Sequence, residues 1–113
     1  VLAAAEEGDP VAERIAEAAL EYLAGYAVGL LAIIELPEAV VGTFGGIFEH
    51  NPWFFSRFAR RVNDHFPHAK VGFPALPPFG GALIYYFLKH DHLTQQVRDN
   101  LITTYQALQE RIN

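Results

Sequence analysis

Two glycine pairs, Gly45-Gly46 and Gly80-Gly81, are the residues of this chain best suited to chemistry. Val40-Val41-Gly42-Thr43-Phe44 runs into the first pair. Ile47-Phe48-Glu49-His50 follows it, and Asn51-Pro52 then leads into an amphipathic segment. The stretch reads as a buried strand, a glycine turn and a helix start. Glycine takes positive φ and lets a ligand approach with no Cβ in the way. A helix N-terminus just beyond offers free N–H groups that suit a phosphate or a sugar oxygen. In open α/β sheets ligands sit beyond the carboxyl ends of parallel strands. Both glycine pairs fall at such ends if Ala69–Phe73 is a second strand, and neighbouring strands would let them line one crevice. The competing reading is that both are turn and packing glycines.

Other reactive residues form weaker sets. His65-x-x-His68 straddles a helix end, and His90-x-His92 sits between helices. Zinc requires a full ligand set in one place, so both pairs read as exposed histidines. Glu13, Glu17 and Glu21 recur every fourth residue and form a solvated acidic stripe. Arg57, Arg60 and Arg61 could meet a phosphate, but a solvated helix face accounts for them. Ser56 is the only serine and lacks a nucleophile motif. Trp53 could stack on a base, though local packing explains it as well.

The elements that position these residues follow from pattern. Val1–Glu7 reads as the last turns of a helix ending at Gly8, and the chain reads as a fragment of a longer protein. Asp9-Pro10 starts the first full helix, with Asp as N-cap and Pro at the first helical position. Val11, Ile15, Ala18/Ala19, Tyr22 and Tyr26 give it a buried face, and it runs to about Ile34. Leu36-Pro37-Glu38 breaks it. Ala39–Gly42, reaching towards Phe44, is an uninterrupted apolar strand of the kind covered on both faces. Asn51-Pro52 caps a second helix with Phe55, Phe58/Ala59, Val62 and Phe66 inward. Ala69–Phe73 is the second strand. A stiff proline stretch leads to Gly80-Gly81, which opens a third helix, Ala82 to about Lys89, apolar on nearly every side and expected to be buried. Thr94 to Ile112 is an amphipathic helix on Val97, Leu101, Tyr105, Leu108 and Ile112, suited to capping the core or pairing with a second copy.

The order helix, strand, helix, strand, helix, helix predicts an α/β fold with parallel strands and right-handed crossovers. Two strands make a poor sheet alone, so a homo-oligomer or an aggregation-prone edge is expected. At 113 residues the chain holds one core at most. Net charge is −5, which argues against a general nucleic-acid binder. Nine of the 13 acids precede residue 50, whereas seven of the eight bases follow it. The absence of cysteine excludes disulfides, thiolate metal sites and iron–sulfur ligation by this chain. No signal peptide is expected. The longest apolar run, Ala24–Ile34, is too short for a membrane span, so a cytoplasmic location without membrane attachment is expected.

An ordered set of motifs adds a resemblance. Gly8-Asp9-Pro10-Val11-Ala12, a long small-residue helix, Val40 to Phe48, and then Pro77-Pro78-Phe79-Gly80-Gly81-Ala82-Leu83 resemble the C-terminal subdomain of actin-like sugar kinases. They are most similar to the BadF/BadG/BcrA/BcrD-type ATPase family, which includes N-acetylglucosamine kinase. The resemblance spans about residues 1–88 and implies a partial ribonuclease-H-like lobe over 1–92, followed by a separate helix over 93–113. It implies that Gly45 and Gly46 form the adenosine motif, against the ribose and α-phosphate of ATP. Ile47 would lie beside them, Phe48 to Asn51 would lie near the adenine, and Gly81-Ala82 would begin the helix near the hinge between lobes.

Such kinases also need an Asp-Gly-Gly-x-(Ser/Thr) phosphate turn, a second phosphate loop and a catalytic Asp. None is in this chain. Mg²⁺ and the amino sugar would then be held through the other lobe, and the chain would be inactive alone. A non-enzymatic interaction module is the alternative. An ATPase activator of a reductase ranks lower, because those family members hold a cluster through cysteines.

Overall fold

The computed structural model describes residues 1–36 and 38–112. Pro37, named above as part of the helix break, lies outside the described residues. The chain is mixed α/β and mostly helical, and it divides into two compact units, Val1–Phe73 and Pro74–Asn113. The boundary expected at 92/93 falls within the second unit.

The first unit contains α1 (Leu2–Glu6), α2 (Pro10–Ile33), β1 (Val40–Gly42), α3 (Gly46–Glu49), α4 (Pro52–His65) and β2 (Lys70–Gly72). Gly8, at φ 91°, closes α1. Its N–H donates to the Ala5 carbonyl at 3.1 Å and the Asp9 N–H to that of Ala4 at 2.9 Å, the Schellman arrangement that satisfies a helix end. Asp9 then caps α2, its Oδ1 accepting from Val11 N–H at 2.9 Å and Ala12 N–H at 2.8 Å. Pro10 occupies the first helical position as expected.

The buried face of α2 is not the expected one. Ala12, Ala16, Leu20 and Ala24 are buried, whereas Val11, Ile15, Tyr22 and Tyr26 are exposed. α2 packs against α1 and α4, and alanines let those helices come close. Leu20 joins Phe54 and Val62 of α4 in the core, all three fully inaccessible to solvent. On α4, Phe54, Phe58 and Val62 form the inward stripe, while Phe55 is half-buried and stacks on Phe73 with centroids 4.8 Å apart.

β1 and β2 are parallel, with Val40 opposite Lys70, Val41 opposite Val71 and Gly42 opposite Gly72. The Thr43 N–H and hydroxyl both donate to the Gly72 carbonyl, at 2.8 and 3.1 Å, which extends the pairing one residue past β1. The expectation that β1 is covered on both faces fails. Val40 is 60 % exposed and Phe44 50 %, because among the described residues only β2 pairs with this strand and α2 turns small residues inward. The apolar run Ala24–Ile34 is too short for a span by itself, but α2 as a whole is long and apolar enough to cross a membrane by length and composition, and 17 % of that window is buried.

The second unit contains α5 (Pro78–Lys89) and α6 (Gln95–Ile112). α5 begins at Pro78 rather than at Gly80-Gly81, since proline is pre-set for the first helical position. Nor is it buried: Phe79, Leu83, Tyr85, Tyr86 and Leu88 are exposed, and only Gly80 is inaccessible. A helix apolar on every side cannot be covered by one neighbour. α6 is capped by the Thr94 hydroxyl, which accepts from Val97 N–H at 3.2 Å, and it buries no residue. The edge-on ring pair Phe79–Tyr105, with centroids 5.7 Å apart, links the two helices.

Candidate functional site

The first glycine pair stands where a ligand site would have to be. β1 ends at Gly42, Thr43 stays tied to β2, Phe44 turns outward, and Gly45 reverses the chain. Gly45 has φ 99° and ψ 161°, a conformation open essentially only to glycine. Beyond Gly45 itself and its two chain neighbours, no heavy atom lies within 4 Å of where a Cβ at Gly45 would stand. The glycine is therefore required by backbone shape, and the space above it is free for a ligand.

Gly46 begins α3, a single helical turn where the sequence pattern predicts a glycine turn before the helix at Asn51-Pro52. A Cβ there would stand 3.3 Å from His50 Cδ2, so the exposed His50 ring already covers this glycine. The Gly45 N–H donates to Glu49 Oε1 at 3.3 Å. A carboxylate over the glycine turn repels a phosphate and accepts from a hydroxyl. The turn is thus better matched to a sugar hydroxyl than to an anion.

The remaining expected contacts separate by role. Ile47 is 39 % exposed and lies on the open side of α3. Phe48 is 8 % exposed and points into the core, its ring 5.8 Å from that of Phe54 and 5.1 Å from that of Phe58. It is a packing residue in this structure. Asn51 occupies the N-cap position of α4 without capping it. Its Nδ2 instead donates to the Ile47 carbonyl at 3.0 Å and the Gly46 carbonyl at 3.4 Å. Asn51 thereby locks the turn from the far side. Gly45, Gly46, Ile47, Phe48 and Asn51 form one short continuous assembly. Gly81 and Ala82 belong to the second unit, where both are exposed residues inside α5. Gly80 is a packing glycine: a Cβ would stand 2.8 Å from Leu76 Cβ.

Thr43 is not marked by any sequence signal, and Glu49 and His50 fall within the Phe48–Asn51 stretch that the resemblance sets near the adenine. Glu49 lies four residues after Gly45, the spacing that lets a side chain reach back over one helical turn, and that signal was available.

The charged candidates are structural. Arg57 and Arg61 both bond the Glu17 carboxylate, joining α4 to α2, so neither the acidic stripe nor the arginine face is simply solvated. Burial alone raises the Glu17 pKa. The hydrogen bonds and charges of Arg61 and Arg57 outweigh it and hold the carboxyl below its ordinary value. The Arg57 guanidinium also lies 5.2 Å from the Trp53 ring centre, and Trp53 packs edge-on against Phe54. All five histidines are exposed. Among the described residues no three His, Asp or Glu side chains gather to hold a metal. Comparison with protein-family models, with curated proteins and with solved structures gives no match.

Proposed function

We propose that this chain is the adenosine-binding half-lobe of an ATP-dependent sugar kinase similar to N-acetylglucosamine kinase, with a ribonuclease-H-like lobe as its parent fold. The observation that carries the reading is Gly45, at positive φ beyond the carboxyl end of a parallel strand, with open space where its Cβ would be. The order of the motifs around it is that of the actin-like kinases. Glu49 beside the turn favours contact with the ribose hydroxyls over the phosphates. Gly81 and Ala82 contribute, on this reading, near the hinge between lobes. The phosphate turns, the catalytic Asp and the Mg²⁺ site come from the other lobe, because phosphoryl transfer depends on positioning and charge stabilisation around the γ-phosphate. The chain works in the cytoplasm, on an amino sugar held by the whole enzyme.

Titration of ¹⁵N-labelled chain with adenosine and ADP tests the proposal. Amide shifts confined to residues 44–51, saturating with both ligands, are expected. Shifts elsewhere, or none at millimolar ligand, overturn it. ATP-dependent phosphorylation of N-acetylglucosamine by this chain alone would refute its status as a half-site.

A non-enzymatic oligomerisation module is the second reading. It is favoured by α6, whose Val97, Leu101, Tyr105, Leu108 and Ile112 lie at helical spacing and are all left unburied. A mass of two chains by light scattering, reduced to one by Leu108→Glu, supports that reading, and a concentration-independent monomer removes it.

A further inference from the structure

On the adenosine-binding reading above, on which this rests, we propose that Glu49 is the selectivity residue of the glycine turn: it takes the vicinal 2′- and 3′-hydroxyls of the ribose and keeps the phosphates away. The turn then prefers a ribonucleoside to its 2′-deoxy analogue, and it directs the phosphate chain of a nucleotide outward, towards the other lobe.

Glu49 is held where it can do this. Its N–H donates to the Gly45 carbonyl at 3.1 Å, and its Oε1 accepts from the Gly45 N–H at 3.3 Å. Backbone and side chain of one residue thus both return to Gly45. From the far side, Asn51 Nδ2 donates to the Ile47 and Gly46 carbonyls, which fixes the single turn of α3 that carries Glu49. The carboxylate is a preset group beside the space left open at the Cβ position of Gly45.

The rest of the carboxylate is free to accept. Among the described residues Glu49 Oε2 has no hydrogen-bond partner, and no cation pairs with it. Glu49 is the only charged residue between Val40 and Ser56, counting His as neutral. An ionised carboxylate only accepts, with about four lone-pair sites on its two oxygens, and Gly45 takes one. Two adjacent hydroxyls fill such an acceptor better than one does, and bonds to a charged acceptor are the stronger kind.

A phosphate meets the opposite. To reach the Gly45 N–H it must displace Glu49 Oε1 and then sit against a like charge that no cation neutralises. α3 offers it little in return, because four residues sum to a small helix dipole. The exposed His50 ring, 3.3 Å from the Cβ position of Gly46, covers the second glycine.

The test titrates the full ¹⁵N-labelled chain with adenosine, 2′-deoxyadenosine and ADP, and reads Kd from the amide shifts of residues 44–51. Adenosine should bind about tenfold or more tighter than 2′-deoxyadenosine, as expected for a hydrogen bond to a charged group. Glu49→Gln keeps an acceptor for the Gly45 N–H and so retains the turn. It should bring the two nucleosides within about threefold of each other. It should also raise the affinity for ADP relative to adenosine by about threefold or more, since a like charge close to the phosphates is gone. Loss of turn shape alone would weaken all three ligands together and leave both ratios unchanged. That result overturns the role of Glu49, as does equal binding of adenosine and 2′-deoxyadenosine by the parent chain, and either leaves the adenosine reading standing. Adenosine that does not bind at all overturns both.

Discussion

Replacing Gly45 by alanine isolates the backbone requirement of the turn from every packing effect. Beyond the residue itself and its two chain neighbours, no heavy atom lies within 4 Å of the added methyl, so a loss of stability has to come from the backbone. An L-residue at φ 99°, ψ 161° lies in a region costing about 1–3 kcal/mol. At about 2 kcal/mol, a unit of this size melts about 10 °C lower. Asparagine should not rescue the variant. It tolerates the left-handed helical region near ψ 47°, which is far from the ψ of 161° observed. D-alanine placed by semisynthesis should be tolerated, because the mirror of this conformation is ordinary extended backbone for an L-residue. Gly46→Ala is the control. The methyl meets only the exposed His50 ring at 3.3 Å, so the change should stay within about 0.5 kcal/mol. Urea unfolding followed by the single tryptophan, Trp53, reads the first unit directly. An alanine variant as stable as the parent, rescue by asparagine, or a D-alanine chain as unstable as the L-alanine one would each refute the reasoning.

Phe54→Ala removes a fully inaccessible ring from the core of the first unit and should cost about 3–5 kcal/mol, enough to lose cooperative urea unfolding. Ile47→Ala, at a 39 % exposed position, should cost less than about 1 kcal/mol in the same assay. Glu17→Gln should lower stability at neutral pH by about 1 kcal/mol, a value kept small because the Glu17, Arg57 and Arg61 side chains are each more than a third exposed. The folded pKa of Glu17 is depressed, so its contribution is complete above the ordinary carboxylate value of 4.5 and fades as pH falls through the lower folded value. The difference between parent and variant midpoints should therefore be flat near neutrality and vanish in acid, and a difference that persists in acid would contradict this.

The caps and the parallel pair were legible because each rests on a local rule. Asp9-Pro10 starts α2, Gly8 ends α1, and two short apolar runs separated by a helix pair in parallel. The phase of the helices was not legible. α2 offers two apolar stripes at the same period, one of Val11, Ile15, Tyr22 and Tyr26, the other of Ala12, Ala16, Leu20 and Ala24. Period alone does not choose between them, and larger side chains suggested the wrong one. Close approach of α4 decided for the alanines. α5 shows the same limit, since a helix apolar all round carries no information about which side is covered. At the candidate site, Ile47 and Phe48 are adjacent apolar residues on one helical turn. Only the aromatic cluster of Phe54 and Phe58 shows that Phe48 goes inward and Ile47 outward.

That choice of face on α2 has a consequence for the rest of the first unit. By burying its alanines, α2 leaves Tyr22, Tyr26, Leu30 and Ile33 outward, each more than half exposed. Burying the small residues lets α4 approach α2 closely, and it leaves the larger apolar side chains of α2, together with Val40 of β1, to solvent.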